Sequence, residues 1–494
     1  MSAKANPKRM NPTPAAAPDA LLDRMQYQAD PLADDTIAAI LGPWQPLAAS
    51  ATVTAVDLAA TYARQWQRLD LVSKVFAQWE LNHHLVGWRA DASVPPEVAA
   101  PLEAYVRAAQ ALPDWADPAL LERAGALFID HGVLSCTLLF CASLPECYVV
   151  PDLSEVLHLT GQLQHRTEYR IRSTAAMVFP VMMRGGMTAA DGGGLAQVLK
   201  VRLIHATVRH LILRGSPIDA VLALGAEHQN PLAGIVSKLS AVHQRSNMHQ
   251  ALFAHGWRLG RDGLPCNQEE LAYTLLTFGY VFLRSLRTLG VGLPETDERA
   301  YLHAWNVVGH VIGIERELMA DTMADSERLF ARMQARGRAQ PITPDPRAAL
   351  GQALMQSMAQ VIPLRVLRPM PVLMTRHLCG AETAANLGLN QHVSWPARAL
   401  FALGLGITGL VDRVGRLFVP GFLTARLITR LVGYQLMTRL LMDQTRPLKL
   451  PPALLQRAHS MMSGWGRDPR APAWMNRVEA RLTTGLAASA KRAT

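Results

Sequence analysis

The sequence predicts an all-α protein. Apolar residues recur at three- and four-residue spacing through nearly every long segment, and sustained period-two alternation rich in β-branched residues is missing. Half of the 494 residues are hydrophobic and only 18% are charged, so the chain has a large core to bury, and the disordered and fibrous classes are excluded.

On that pattern helices are predicted over 34–42, 54–84, 96–111, 117–132, 152–162, 165–184, 192–214, 217–226, 231–246, 248–259, 267–290, 295–334, 345–359, 398–411, 417–442, 451–463 and 473–488. Two starts are well marked. Asn267-Gln-Glu-Glu270 has the spacing of a capping box ahead of an apolar run, and Leu293-Pro294-Glu295 places proline and then acids at a helix N-terminus. Loops are expected at the glycine cluster Met183–Gly194, at Gly260–Cys266, at Arg336–Arg347 and at Arg446–Pro452. The chain then divides into a disordered Pro/Ala-rich start (1–20), a leading helical layer (21–113), a central core (114–335), a linker (336–347) and a C-terminal helical segment (348–494).

Charge is distributed unevenly along this order. Residues 412–494 carry 14 Lys or Arg against 4 Asp or Glu, a net of +10 that equals the charge of the whole chain. Such a segment suits peripheral contact with an anionic membrane or an acidic partner, and equally a packed helix pair with a solvated basic rim. Nucleic acid is not expected, since the basic residues are not interleaved with stacking aromatics. The early basic residues are followed by prolines rather than the apolar stretch of a signal peptide, and Ala399–Val411 is thirteen apolar residues where a span needs about 20. The expectation is a cytoplasmic protein that does not span a membrane.

The five cysteines (136, 141, 147, 266 and 379) form no CxxC or CxxCH motif and read as reduced, mostly buried thiols. Gly404-Leu-Gly406-Ile-Thr-Gly409 matches GxGxxG, but no strand precedes it, and close helix packing is the expected use. Glu80-x-x-His83 and Glu155-x-x-His158 repeat the spacing of a di-iron carboxylate bundle. His303, His310 and Glu317 share a helix face and are expected to form a buried seam of satisfied histidines.

The most informative stretch is Ala196–Gly215, where Arg202, His205 and Arg209 stand at i, i+3 and i+7 and share one helix face. A cation beside an imidazole disfavours its charged form and keeps it available as a metal ligand, and paired arginines suit the two carboxylates of a haem. A core histidine between two arginines snorkelling to water has the same spacing.

The order of several short segments resembles the latex clearing protein family of rubber oxygenases, within the group that includes the mpaB-type oxygenases. These are Leu112-Pro-Asp-Trp115, Ser143-Leu-Pro-Glu-Cys-Tyr148, Thr160-Gly161, Arg170-Ile-Arg-Ser-Thr174 and Arg202-Leu-Ile-His-Ala-Thr-Val-Arg209, followed by Pro265-Cys-Asn-Gln-Glu-Glu-Leu-Ala272, Leu283-Arg-Ser-Leu-Arg-Thr-Leu-Gly-Val291 and Tyr301-Leu-His-Ala-Trp-Asn-Val-Val-Gly309. The resemblance covers about residues 112–334. It implies a globin-like helical core holding haem b, with His205 as proximal iron ligand and Arg202 and Arg209 at the haem edge. It also implies a catalytic distal segment containing Arg170, Ser173 and Thr174. There the rubber oxygenases carry Arg-x-x-Lys-Thr, and Ser173 replaces the lysine.

The function so implied is a haem-dependent oxygenase that adds O2 across a carbon–carbon double bond of a hydrophobic small molecule. Glu155, upstream of the distal segment, is the expected base for an allylic proton, with Glu168 its rival. A haem carrier or sensor without turnover, and a di-iron carboxylate oxygenase, remain the alternatives.

Overall fold

In the computed structural model, residues 19–42, 55–150, 167–214, 263–339, 345–360, 362 and 365–418 are described, and among them every regular element is helical. The leading layer comprises α1 (Asp19–Met25), α2 (Pro31–Leu41), α3 (Ala55–Ala77) and α4 (Pro96–Ala109). The body follows with α5 (Pro118–Asp130), α6 (Gly132–Leu138), α7 (Leu144–Cys147), α8 (Thr167–Met182), α9 (Gly194–Arg214), α10 (Gln268–Phe278), α11 (Tyr280–Thr288) and α12 (Glu295–Ile312). The chain ends, as described, in α13 (Met323–Ala339), α14 (Arg347–Gln360), α15 (Met370–Asn386) and α16 (Trp395–Phe418). The helices predicted at 152–162, 217–226, 231–246, 248–259, 451–463 and 473–488, and all but the first two residues of 417–442, lie outside the described residues.

α9 is the hub of the fold, packed by α8, α2 and α12 and by the 3-10 turn Asn82–Leu85. Asn82 fixes that turn to the glycine loop before α9: its amide donates to Gly186 O (2.9 Å) and Ala189 O (2.8 Å). The glycines are required there, because a Cβ on Gly186 would stand 2.0 Å from Pro180 O. One continuous set of buried side chains runs from Leu22 to Leu389, so the leading layer, the body and α14–α15 share a core instead of forming separate units.

Several boundaries differ from expectation. The stretch 267–290 divides at Gly279, and 295–334 ends at Ile312, because Gly313 takes the left-handed conformation (φ 95°) and its N–H closes the helix on Gly309 and His310. The linker is shorter than 336–347, since α13 runs to Ala339 and α14 starts at Arg347. α15 is not among the predicted helices; it is kinked at Gly380, which stands at φ 85° in its interior.

The π-helical turn Leu139–Ser143 joins α6 to α7. Pro145 has no N–H to donate four residues back to Cys141 O, and the Cys379 thiol supplies that contact from α15 at 3.6 Å. All five cysteines are thiols, four of them buried, as expected.

Candidate functional site

Arg202, His205 and Arg209 lie on α9 where it faces α2. Arg202 is a bidentate donor to Asp30, with Nε to Oδ2 at 2.5 Å and Nη2 to Oδ1 at 2.6 Å, and its Nη1 donates to Val311 O at 3.0 Å. Arg209, 1% exposed, donates through Nη1 to Asp34, through Nε to Pro265 O (2.9 Å) and through Nη2 to Cys266 O (2.6 Å). Arg214 extends the series with a bond to Gly42 O. Three arginines therefore grip α2 in register, from the residue before it to the residue after it.

This overturns one of the two readings of these arginines, that they snorkel to water. Every guanidinium nitrogen of Arg202 and Arg209 has a protein acceptor, and these contacts engage three of the five N–H donors of each group. Arg209 also holds strained backbone: Cys266, at φ 53°, is the only non-glycine residue among those described in the left-handed region.

Between the two arginines, His205 is mostly buried, and its Nδ1 has no hydrogen-bond partner among the described residues. Burial, reinforced by the Arg209 charge, pushes its pKa down to about 4, so the imidazole is neutral at physiological pH. An unpartnered, neutral, buried imidazole is the electronic form that ligates a metal. His210, on the side facing Asp34, is also neutral, pushed to about 3 by burial and by Arg214 and Arg209; its Nε2 is 3.8 Å from Asp34 Oδ1. Burial lifts the Asp34 carboxyl to about 6 against the opposing pull of Arg209.

α8 packs directly on α9 and carries the predicted distal segment. Ser173 and Thr174 are partly buried on it. Arg170 and Glu168 belong to the same helix, though only their backbone is described, and Glu155 lies outside the described residues.

The other candidates separate from this site. His83 is exposed, edge-on to His84, with Nδ1 2.9 Å from Ala190 O, while its companion pair Glu155/His158 lies outside the described residues. Among the described residues no three His, Cys, Asp or Glu side chains are grouped to hold a metal. His303 and His310 form no buried seam: both meet the Trp115 ring edge-on, His310 is exposed, and Glu317 turns outward to Arg24. Gly404, Gly406 and Gly409 lie inside α16, and a Cβ on any of them would meet nothing within 4 Å among the described residues.

Sequence reading missed a second buried polar centre. Glu146, 1% exposed on α7, accepts from Arg284 (2.6 Å), Gln334 (2.8 Å) and Thr383 (3.3 Å), and its carbonyl accepts from Tyr273 Oη at 2.8 Å. These contacts tie α7 to α10, α11, α13 and α15. A signal existed: Glu146 is the sole charge between Gly132 and Val150, and a carboxylate in so apolar a run requires a buried partner.

Residues 138–413 match the catalytic-domain family described as ER-bound oxygenase mpaB/B'/Rubber oxygenase. The chain is 24% identical over 386 residues to the rubber oxygenase of Streptomyces sp. (strain K30), covering 75% of this chain and 83% of that protein. Its fold is similar to that of latex clearing protein LCP in the closed state, with a TM-score of 0.51 at 19% identity over 89% of this chain and 90% of the other.

Proposed function

Because this chain belongs to the family of mpaB-type and rubber oxygenases, we propose that it is a haem b-dependent oxygenase adding O2 across a carbon–carbon double bond of an apolar, isoprenoid-like substrate. The observation that carries the haem assignment is His205, a neutral and mostly buried imidazole whose Nδ1 has no partner among the described residues, on a helix inside the family-matched stretch. When bound, haem supplies the activation of O2 at its iron.

His205 would hold that group. Arg202 and Arg209 act on it mainly through the scaffold: by gripping Asp30, Asp34 and the Pro265–Cys266 turn they fix α9, and with it the imidazole, against α2. Ser173 and Thr174 stand on the neighbouring helix, and a serine in place of the lysine of the rubber oxygenases is shorter and uncharged. That substitution favours small alkenes over polymer. Glu155, or its rival Glu168, takes the allylic proton.

The test is an absorption spectrum of the purified protein with iron quantitation. Wild type should show a Soret band, and His205→Ala should lose it while keeping its helical circular dichroism; full haem content in the variant overturns the assignment. Incubation with polyisoprene latex and with short isoprenoids, followed by a carbonyl assay, tests the substrate. Efficient latex cleavage would overturn the preference for small alkenes. Glu155→Gln and Glu168→Gln, assayed on the same short isoprenoids, identify the base.

A further inference from the structure

α16 is the most exposed apolar element among the described residues. Its inner face is Ala397, Phe401, Leu405 and Thr408, resting on α15 and on the short turn Arg365–Leu367. Its outer side is as apolar as a core: Trp395 is 75% exposed, Leu403 59%, Ile407 52% and Leu410 62%. From Ala399 to Val411 there is no charge, and the glycines at 404, 406 and 409, where a Cβ would meet nothing within 4 Å among the described residues, add no bulk to the surface. An apolar strip of 17 residues is about 25 Å long, and a contiguous surface of that size marks an interaction site.

The charge around the strip identifies what it meets. Between residues 361 and 411 there are four arginines (365, 368, 376 and 398) and one acid, Glu382, which is paired with Arg338 at 2.6 Å. Arg365 and Arg368 are exposed beside Val366, at the turn that packs on α16, and Arg398 is exposed on α16 itself. Burial, reinforced by the Arg398 charge, lowers the pKa of Arg376. Beyond Val411 the chain adds its net +10. A second copy of the chain would set one cationic patch against another, which opposes self-docking. An anionic bilayer satisfies both features: its acyl boundary takes the apolar side chains, and its headgroups take the arginines.

We propose that α16 is an interfacial helix that seats the protein on anionic membrane, with Trp395, Leu403, Ile407 and Leu410 entering the headgroup boundary and Arg365, Arg368 and Arg398 at phosphate level. The helix lies in the surface and does not cross it; no single helix among the described residues is long and apolar enough to span a bilayer. The docking does not depend on the reaction proposed above.

The test uses the full chain and vesicles of phosphatidylcholine alone or mixed with phosphatidylserine. Binding should require phosphatidylserine and weaken as salt rises, because the screening length falls from about 10 Å at 0.1 M to about 3 Å at 1 M. Ile407→Asp with Leu410→Asp should weaken binding at least about tenfold, since acidic side chains are expelled from the boundary. Both positions are exposed, so circular dichroism should be unchanged. Trp395→Phe should abolish the blue shift of tryptophan emission on vesicles. Three outcomes overturn the proposal: no vesicle binding, equal binding to neutral vesicles, or unchanged binding by the double aspartate variant. If that variant instead turns a dimer into a monomer and binds vesicles as before, the strip is a self-association surface.

Discussion

Arg202 and Asp30 form a fork-to-fork ion pair across 172 residues of sequence, with both side chains nearly closed off from water at 11% and 5% exposure. It joins the residue before α2 to the helix carrying His205. Breaking one half of such a pair leaves a buried charge unpaired, which costs about 3–5 kcal/mol. Asp30→Asn should therefore lower the urea midpoint clearly, and Arg202→Met combined with Asp30→Leu should be less damaging than either single change. A midpoint unchanged in Asp30→Asn would mean that the pair contributes nothing.

Gly313 supports that pair by having no side chain. It stands at φ 95°, and a Cβ there would lie 2.5 Å from Asp30 Cγ. Gly313→Ala thus combines a left-handed backbone penalty of about 1–2 kcal/mol with displacement of the carboxylate from Arg202. Gly290→Ala is the matched control, since Gly290 has φ 74° but a Cβ there would meet nothing within 4 Å among the described residues. Thermal unfolding should show the larger loss at Gly313; equal losses would remove the steric part of the argument.

At Glu146, truncation strands Arg284 and removes the acceptor of Gln334. Glu146→Leu is expected to cost about 3–5 kcal/mol, Glu146→Gln less, and the pair Glu146→Leu with Arg284→Met should recover most of the loss. Chemical denaturation of the four proteins closes the double-mutant cycle. A coupling energy near zero would reduce the network to coincident contacts.

These two centres show what the sequence makes legible and what it hides. The shared face of Arg202, His205 and Arg209 follows from helical spacing alone, so it is visible in a single line of text. Asp30 and Asp34 are not visible as partners, because pairs 172 and 175 residues apart arise from packing that no local period encodes. Without those acids the arginines read as spare cations, which is why their role as ligands to a carboxylate was expected. Helix breaks at Gly279 and Gly313 were missed for a related reason: the apolar period continues through both, and only the backbone angle stops the helix.

His210 gives the last prediction, a pH dependence with a defined sign. It is 1% exposed, and burial holds its pKa near 3 against an ordinary 6.5. The unfolded chain therefore binds a proton between about pH 6.5 and 3 that the folded chain refuses. Stability from the neutral imidazole is complete above 6.5 and is lost as pH falls through that window, at up to about 1.4 kcal/mol per pH unit. Asp34 runs the other way, because its raised pKa of about 6 makes the folded state the better proton acceptor between about pH 4 and 6. Comparing a variant with wild type at each pH largely cancels that opposing contribution. His210→Leu, whatever its cost at pH 7, should regain about 2 kcal/mol relative to wild type by pH 5, read as the difference between urea unfolding curves. A difference that stays constant from pH 7 to 5 would show that the imidazole takes up its proton in the folded state, and that the pocket facing Asp34 admits water.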